Sequence, residues 1–193
     1  MELSPGLYHG FVRPRWLTKI YIHDMIQRHF DLTGKAVLDF GSGTGSCSCI
    51  CTPKHYLGID PDPKRVAYAR RLYPDYNFAV LEGSSLPASD KSFDYILIVA
   101  VLHHIPPDTL PAYLQEFHRV LKPTGKILVM EPCFLKNSLF NNRFMAFFDR
   151  GKYIRYESGY RSIFTKHHYR IEKLKEFKKM LFYNELFFMA IPE

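Results

Sequence analysis

The stretch 38-LDFGSGTGSCSCICT-52 decides how this chain is read. An apolar run from Lys35 ends on Asp39-Phe40 and breaks into Gly41, Gly43 and Gly45, at every second position. Glycines placed directly after a strand let the backbone turn tightly and approach a ligand with no Cβ in the way. Alone, a G-x-G is a weak signal, and its flanks sharpen it. The dinucleotide fingerprint G-x-G-x-x-G/A needs Gly or Ala at position 46, where this chain has Ser46. Asp39 would repel a pyrophosphate seated on the loop. It suits a ligand with no phosphate and a cationic end, which describes S-adenosylmethionine. Asp60, 19 residues past Gly41, ends the next apolar run and is placed to accept ribose hydroxyls.

The second half of the stretch carries Cys47, Cys49 and Cys51. On a helix, a spacing of two steps about 200° around the axis, so the three cannot face one ion. Structural zinc sites bring C-x₂₋₄-C pairs in twos, and the fourth cysteine, Cys133, lies far along the chain. No metal is expected. The cysteines are expected to be small apolar fillers on a helix that the loop starts.

Working outward, short apolar runs alternate with amphipathic stretches. Helical spacing runs over 17–30, 63–72, 109–121 and 137–149, and strands are expected at 35–40, 55–60, 77–82, 93–102, 126–132, 169–174 and 182–191. The run FDYILIVAVL at 93–102 is apolar nearly throughout, as a central parallel strand covered on both faces should be. The expected fold is therefore α/β: Rossmann-like and doubly wound, a mostly parallel seven-stranded sheet with helices on both faces. One domain, 1–193, is expected. It has a helical cap segment at 1–34, a cofactor-binding core at 35–132, and a substrate-side helix with C-terminal strands at 133–193. Ligands of such sheets sit at the carboxyl ends of strands, where Asp39, Asp60, Glu82, His103 and Glu131 all fall.

Composition narrows the class further. The 193 residues are 47% hydrophobic and 23% charged, ordinary for a globular chain. The first residues, MELSPGLYHGFVRPRW, contain no apolar signal core, and the run 95–102 is too short to span a bilayer. Four cysteines without a secretory signal point to thiols in a reducing compartment, so the cytoplasm is expected. The net charge of +7 is concentrated late, but KHHYRIEKLKEFKK at 166–179 mixes Lys with Glu. That reads as a solvated basic face rather than a nucleic-acid footprint.

Taken together, VLDFGSGTG, YLGIDPDP, LEGSSLPASDKSFDYI, VLHHI and RVLKPTGKILVMEP, in that order between 37 and 132, resemble the class I S-adenosylmethionine-dependent methyltransferases, of the type that includes the ubiquinone and menaquinone biosynthesis enzymes. The resemblance implies a cofactor site made of Asp39, Phe40, Gly41, Ser42, Gly43, Gly45, Asp60, Pro61, Glu82, Gly83, Ser84, Ala100 and Val101. Within it, Asp39 and the loop would hold the methionine part, Asp60 the ribose, and Pro61 would pack near the adenine. Glu82 stands where the family usually has Asp facing the adenine amine, with Ser84 able to share that role. Ala100 and Val101 would line the cofactor through their backbone.

Methyl transfer is an in-line displacement with a neutral leaving group, so positioning does most of the work. A base is needed only if the acceptor must lose a proton. His103 and His104 are the candidates, against the plainer reading that they pack the turn before Pro106. Substrate contacts are expected from Tyr8, Phe11, Arg13, Trp16, Phe144, Arg150 and Arg155. Phe140, Phe144, Phe147 and Phe148 share one helical face, read as core before pocket. A small aromatic or lipophilic substrate is favoured. An RNA or ribosomal-protein methyltransferase and a non-catalytic S-adenosylmethionine-binding regulator are the alternatives. Oligomeric state is not legible.

Overall fold

The computed structural model describes residues 15–149, 152–180 and 182–193. Tyr8, Phe11, Arg13 and Arg150, and residues 1–14 of the expected 1–34 cap, lie outside the described residues. The chain divides into two compact units between Gly83 and Ser84.

The first unit opens with a helical segment in three pieces: α1 (Arg15–Thr18), a π turn (Lys19–His23) and α2 (Asp24–Gln27). Ile22, Met25 and Ile26 are its buried apolar residues, and Thr18 is buried with them. Three parallel strands follow, β1 (Val37–Phe40), β2 (Tyr56–Asp60) and β3 (Asn77–Val80), in the order β3-β2-β1. Every residue of β1 is buried, as its apolar reading requires. Helix α3 (Pro63–Leu72) makes the crossover from β2 to β3. Pro63 begins it, where its missing N–H costs nothing, and the Asp62 side chain caps it by accepting from Lys64 N and Arg65 N.

The second unit holds β4 (Phe93–Val99), α4 (Leu110–Val120) and β5 (Leu121–Phe134), then α5 (Leu139–Phe148), β6 (Arg155–Tyr156), α6 (Glu157–Thr165), β7 (Tyr169–Lys179) and β8 (Tyr183–Pro192). Its strand order is β4-β5-β8-β7, with β6 pairing only β5. β4 and β6 run parallel to β5, and β8 runs antiparallel to both β5 and β7. α4 buries Leu110, Leu114, Phe117 and Val120, one face at helical spacing. No described helix is long and apolar enough to cross a membrane.

The expected elements are present, with informative differences. Among the described residues eight strands form rather than seven, because Cys133 and Phe134 at the end of β5 pick up the two-residue β6. β5 starts at Leu121 rather than 126, since Leu121 already pairs with Phe93 and the Lys122–Gly125 stretch passes as a register irregularity. Helix α6 gives a weak sequence signal: it buries only Tyr160 and Phe164, and it contains Gly and Ser.

Two expectations are corrected. The loop starts no α-helix over the cysteines; only one 3₁₀ turn, Ser48–Ile50, forms there. Pro53 holds Thr52 extended and closes the segment before a second turn can add on. The phenylalanine face of α5 is not core: Phe140, Phe147 and Phe148 are exposed, and the helix buries Asn141 and Met145 instead.

Gly58 lies between Asp39 on β1 and Phe78 on β3 in the strand register. A Cβ at Gly58 would come within 2.6 Å of the Phe78 ring and 2.9 Å of Ser42 Oγ. Gly58→Ala should therefore destabilise the protein by about 1–3 kcal/mol, measured as a fall in the urea midpoint with an unchanged slope.

Candidate functional site

The glycine loop is fastened to the carboxyl end of β2. Gly41 N and Ser42 N both donate to Ile59 O, at 2.8 and 2.9 Å. Asp60 is only 4% exposed. Its Oδ2 accepts from Gly43 N at 2.9 Å and its Oδ1 from Asp62 N at 2.9 Å. Burial pushes the Asp60 carboxyl above its ordinary value, and those two N–H donors work against the rise. The carboxylate that was expected to face a ribose thus also shapes the loop that would hold the rest of the ligand.

Glycine is required here at two positions for opposite reasons. Gly43 sits at φ +56° with open space where a side chain would stand, so the backbone itself is presented. Gly45 sits at φ +81°, and a Cβ there would meet the Phe78 ring at 2.8 Å. Ser42 Oγ is buried in the loop with no hydrogen-bond partner among the described residues. A backbone cradle, an orphaned hydroxyl and a carboxylate at the strand end fit a ligand carrying a ribose and polar groups. Asp39 is 2% exposed, and its Oδ2 accepts from the Tyr56 hydroxyl at 2.7 Å. It braces β1 to β2 from within. Phe40 is buried under the loop, while Pro61, Glu82 and Gly83 are exposed at the ends of β2 and β3. Leu81 N donates to Asp60 O and holds that last turn in place.

The cysteines divide. Cys47 and Cys51 are buried fillers, as expected; Cys49 is exposed. Cys49 Sγ lies 3.6 Å from His23 Nδ1, while His23 Nε2 lies 2.9 Å from Ser46 O. A carbonyl can only accept, so Nε2 carries the proton and Nδ1 is left as the acceptor facing the thiol. Burial lowers the His23 pKa and keeps that ring neutral. Burial also pushes the Cys51 thiol far up and the Cys133 thiol to about 12. Among the described residues, no group of His, Cys, Asp and Glu could hold a metal ion. One rapidly labelled thiol is expected in the native protein, lost in Cys49→Ser, with Cys47, Cys51 and Cys133 reacting only on unfolding; thiol titration with and without denaturant reads both.

In the second unit the turn after β4 is built on a buried charge. Glu131 Oε1 accepts from Val101 N at 2.7 Å and Leu102 N at 2.8 Å, and Oε2 accepts from His103 N at 3.3 Å. The same Oε2 lies 2.7 Å from His103 Nδ1, and His103 Nε2 lies 3.5 Å from Asp149 Oδ1. His103 is 3% exposed. Burial opposes its charge, but Glu131, through its field and its hydrogen bond, and then Asp149 and Glu185, raise its pKa above the ordinary value. With a carboxylate facing each ring nitrogen, His103 is held in one orientation. Its ring lies 4.0 Å from that of exposed His104, centroid to centroid, tilted by 42°. Ala100 takes φ +57°, unusual for a residue with a Cβ, and its N–H donates to Met130 O at 2.8 Å. Ala100 and Val101 are half-buried, and Ser84 is exposed.

The described residues among the expected substrate contacts are Trp16, Phe144 and Arg155. Trp16 is exposed on α1 in the first unit, and Phe144 is half-buried on α5. Arg155 faces inward: its Nη1 donates to Leu102 O at 3.0 Å and Tyr153 O at 2.7 Å, locking the back of the His103 turn. Glu131 and Asp149 are the residues that sequence reading left without a role. The signal for Glu131 was a carboxylate ending an otherwise apolar strand; for Asp149 there was none.

Residues 38–129, a little under half of the chain, match the family model described as a methyltransferase domain. Over that stretch the sequence is that of a class I S-adenosylmethionine-dependent methyltransferase. Methyltransferases of this family with similar sequences include the demethylmenaquinone methyltransferase of Chlorobaculum tepidum, 28% identical over 58% of this chain and 47% of that one. That of Tropheryma whipplei is 35% identical over 51% and 42%. A probable phthiotriol/phenolphthiotriol dimycocerosates methyltransferase of Mycobacterium ulcerans is 33% identical over 49% and 38%. In each case the match spans less than half the relative's length. S-adenosylmethionine-dependent methyltransferases of Archaeoglobus fulgidus and Aquifex aeolicus share the fold. Their TM-scores are 0.75 and 0.70, with 16% and 19% identity, over 98% and 97% of this chain and 99% of each of those. The fold is the Rossmann-like one of these methyltransferases, and S-adenosylmethionine is the cofactor of the family.

The raised His103 pKa has a stability consequence. The native state holds the proton more tightly than the unfolded chain, so the contribution is complete below the unfolded pKa of about 6.5 and is lost as pH rises through the higher native value. Unfolding free energy of the wild type should therefore decline above about pH 6.5, and His103→Asn should flatten that limb. A wild-type profile as flat as the variant's would show that His103 is not held protonated.

Proposed function

We propose that this protein transfers the methyl group of S-adenosylmethionine to a small, flat or lipophilic acceptor. The observation that carries the reading is the Gly41–Gly45 loop closed on Asp60, with Asp39 buried immediately before it. Backbone N–H groups and carboxylates without a basic side chain in the loop suit a ligand that has hydroxyls and an ammonium rather than phosphates. When bound, the cofactor supplies a methyl on a sulfonium, whose loss leaves a neutral thioether.

This chain's residues then need only bind and orient. Asp60 accepts the ribose hydroxyls, and Gly43 offers open backbone beside it. Asp39, held by Tyr56, contributes negative field toward the ammonium. Glu82, with Ser84, serves the adenine amine, and Ala100 and Val101 offer backbone as Glu131 sets it. If the acceptor loses a proton, exposed His104 takes it, while His103 fixes the orientation of its ring. Support for the acceptor class comes from the names of the relatives, a demethylmenaquinone methyltransferase and a probable phthiotriol/phenolphthiotriol dimycocerosates methyltransferase.

Calorimetry with S-adenosylhomocysteine and with NADH tests the cofactor. Binding of the first alone is expected, and Asp60→Ala should weaken it by about tenfold or more, the value of hydrogen bonds to a charged group. NADH binding without S-adenosylhomocysteine binding would sink the reading. For the chemistry, label from methyl-labelled S-adenosylmethionine should pass to a demethylated quinone. His104→Gln should lower kcat without changing cofactor affinity, and unchanged turnover would remove His104 from the mechanism.

A further inference from the structure

Helix α5 is turned inside out with respect to water. It buries Asn141 and Met145, while Leu139, Phe140, Phe147 and Phe148 are 75%, 69%, 81% and 61% exposed. At about 100° per residue, these four with Arg143 and Phe144 occupy one arc of roughly 180°, and Asn141 and Met145 fall outside it. The orientation is anchored by specific bonds. Asn141 Nδ2 donates to Asn184 Oδ1 at 3.3 Å, and Asn184 N donates to Met145 Sδ at 3.4 Å. Asn142 bonds both backbone groups of Leu135, at 3.1 and 2.8 Å. Rotating the helix to hide its phenylalanines would break all four. The patch continues onto the turn between β7 and β8: Phe182 packs on Phe140 and Phe144 at 5.8 and 5.0 Å, and Met180 is exposed beside it in sequence. An apolar surface held outward in this way is a binding surface.

Charge says what it binds. Exposed Arg143 lies within the aromatic arc, exposed Lys136 precedes the helix, and Lys178 and Lys179 pair across β8 with Asn184 and Tyr183. No acidic residue occurs between Pro132 and Phe148 or between Phe177 and Asn184. The next acids in sequence are engaged: Asp149 faces His103, and buried Glu185 lies 3.8 Å from Lys179. A second copy meeting this face across a two-fold axis would bring like charges together. An acidic surface neutralises them. A short helix with Phe and Leu outward and Lys and Arg at its rim has the character of an element that lies in a lipid interface.

We propose that this face docks on an anionic lipid bilayer surface, with Phe140, Phe147 and Phe148 entering the headgroup boundary and Arg143, Lys136 and Lys178 meeting lipid phosphates. The inference stands apart from the transfer chemistry, since it uses no cofactor residue.

Flotation of the full chain with phosphatidylcholine–phosphatidylglycerol vesicles and with pure phosphatidylcholine vesicles tests it. Binding should be about tenfold stronger to the anionic vesicles and should weaken with added salt. The double variant Phe140→Ser/Phe147→Ser should lose about tenfold or more in vesicle binding while keeping its unfolding midpoint and its S-adenosylhomocysteine affinity. Arg143→Glu should weaken binding to the anionic vesicles alone. Equal flotation of the wild type and the double variant, or no flotation of the wild type with either vesicle, overturns the proposal. So does a concentration-dependent dimer in sedimentation that Phe147→Ser dissolves, which would assign the face to a second copy.

Discussion

A carboxylate sealed away from water has to be satisfied by the chain itself, and Glu131 is satisfied by one turn. Its two oxygens take three consecutive backbone N–H groups, of Val101, Leu102 and His103, and then the ring of His103. Leaving such a charge unpaired would cost several kcal/mol, so the strand that carries Glu131 dictates the path of the chain after β4. The left-handed Ala100, the inward Arg155 and the tilted contact of His104 with His103 all follow from that path. A residue buried in one strand thereby sets the backbone and ring positions of the turn after another.

The first unit solves a similar problem with the opposite economy. There the loop glycines supply N–H groups and Asp60 supplies the acceptor, so the ligand cradle and its carboxylate are one hydrogen-bonded piece. Phe78 fills the space beneath, against Gly58 and Gly45. Burial raises the Asp60 pKa, and the N–H groups of Asp62 and Gly43 oppose that rise and favour the carboxylate.

Helix α5 shows how periodicity can be read correctly and placed wrongly. Its phenylalanines do share a face, and such a face is usually buried. Here Asn184 on β8 accepts from Asn141 through its side chain and donates to the Met145 sulfur through its backbone. Those partners lie 43 and 39 residues apart in the chain, and no local pattern announces them. The Cys47–Cys51 segment misleads in another way: its glycine-rich entry suggests a helix, but Pro53 ends it after one 3₁₀ turn.

By itself the sequence determined the alternation of strand and helix and the glycine loop with Asp60 at its proper distance. Each of these is a local matter of period, backbone freedom or ligand spacing. Only the tertiary structure decided which of two adjacent histidines is sealed between carboxylates, which way α5 faces, and which of three cysteines meets solvent. Those outcomes depend on partners that folding brings from distant parts of the chain, where the cost of an unsatisfied buried group outweighs local preference.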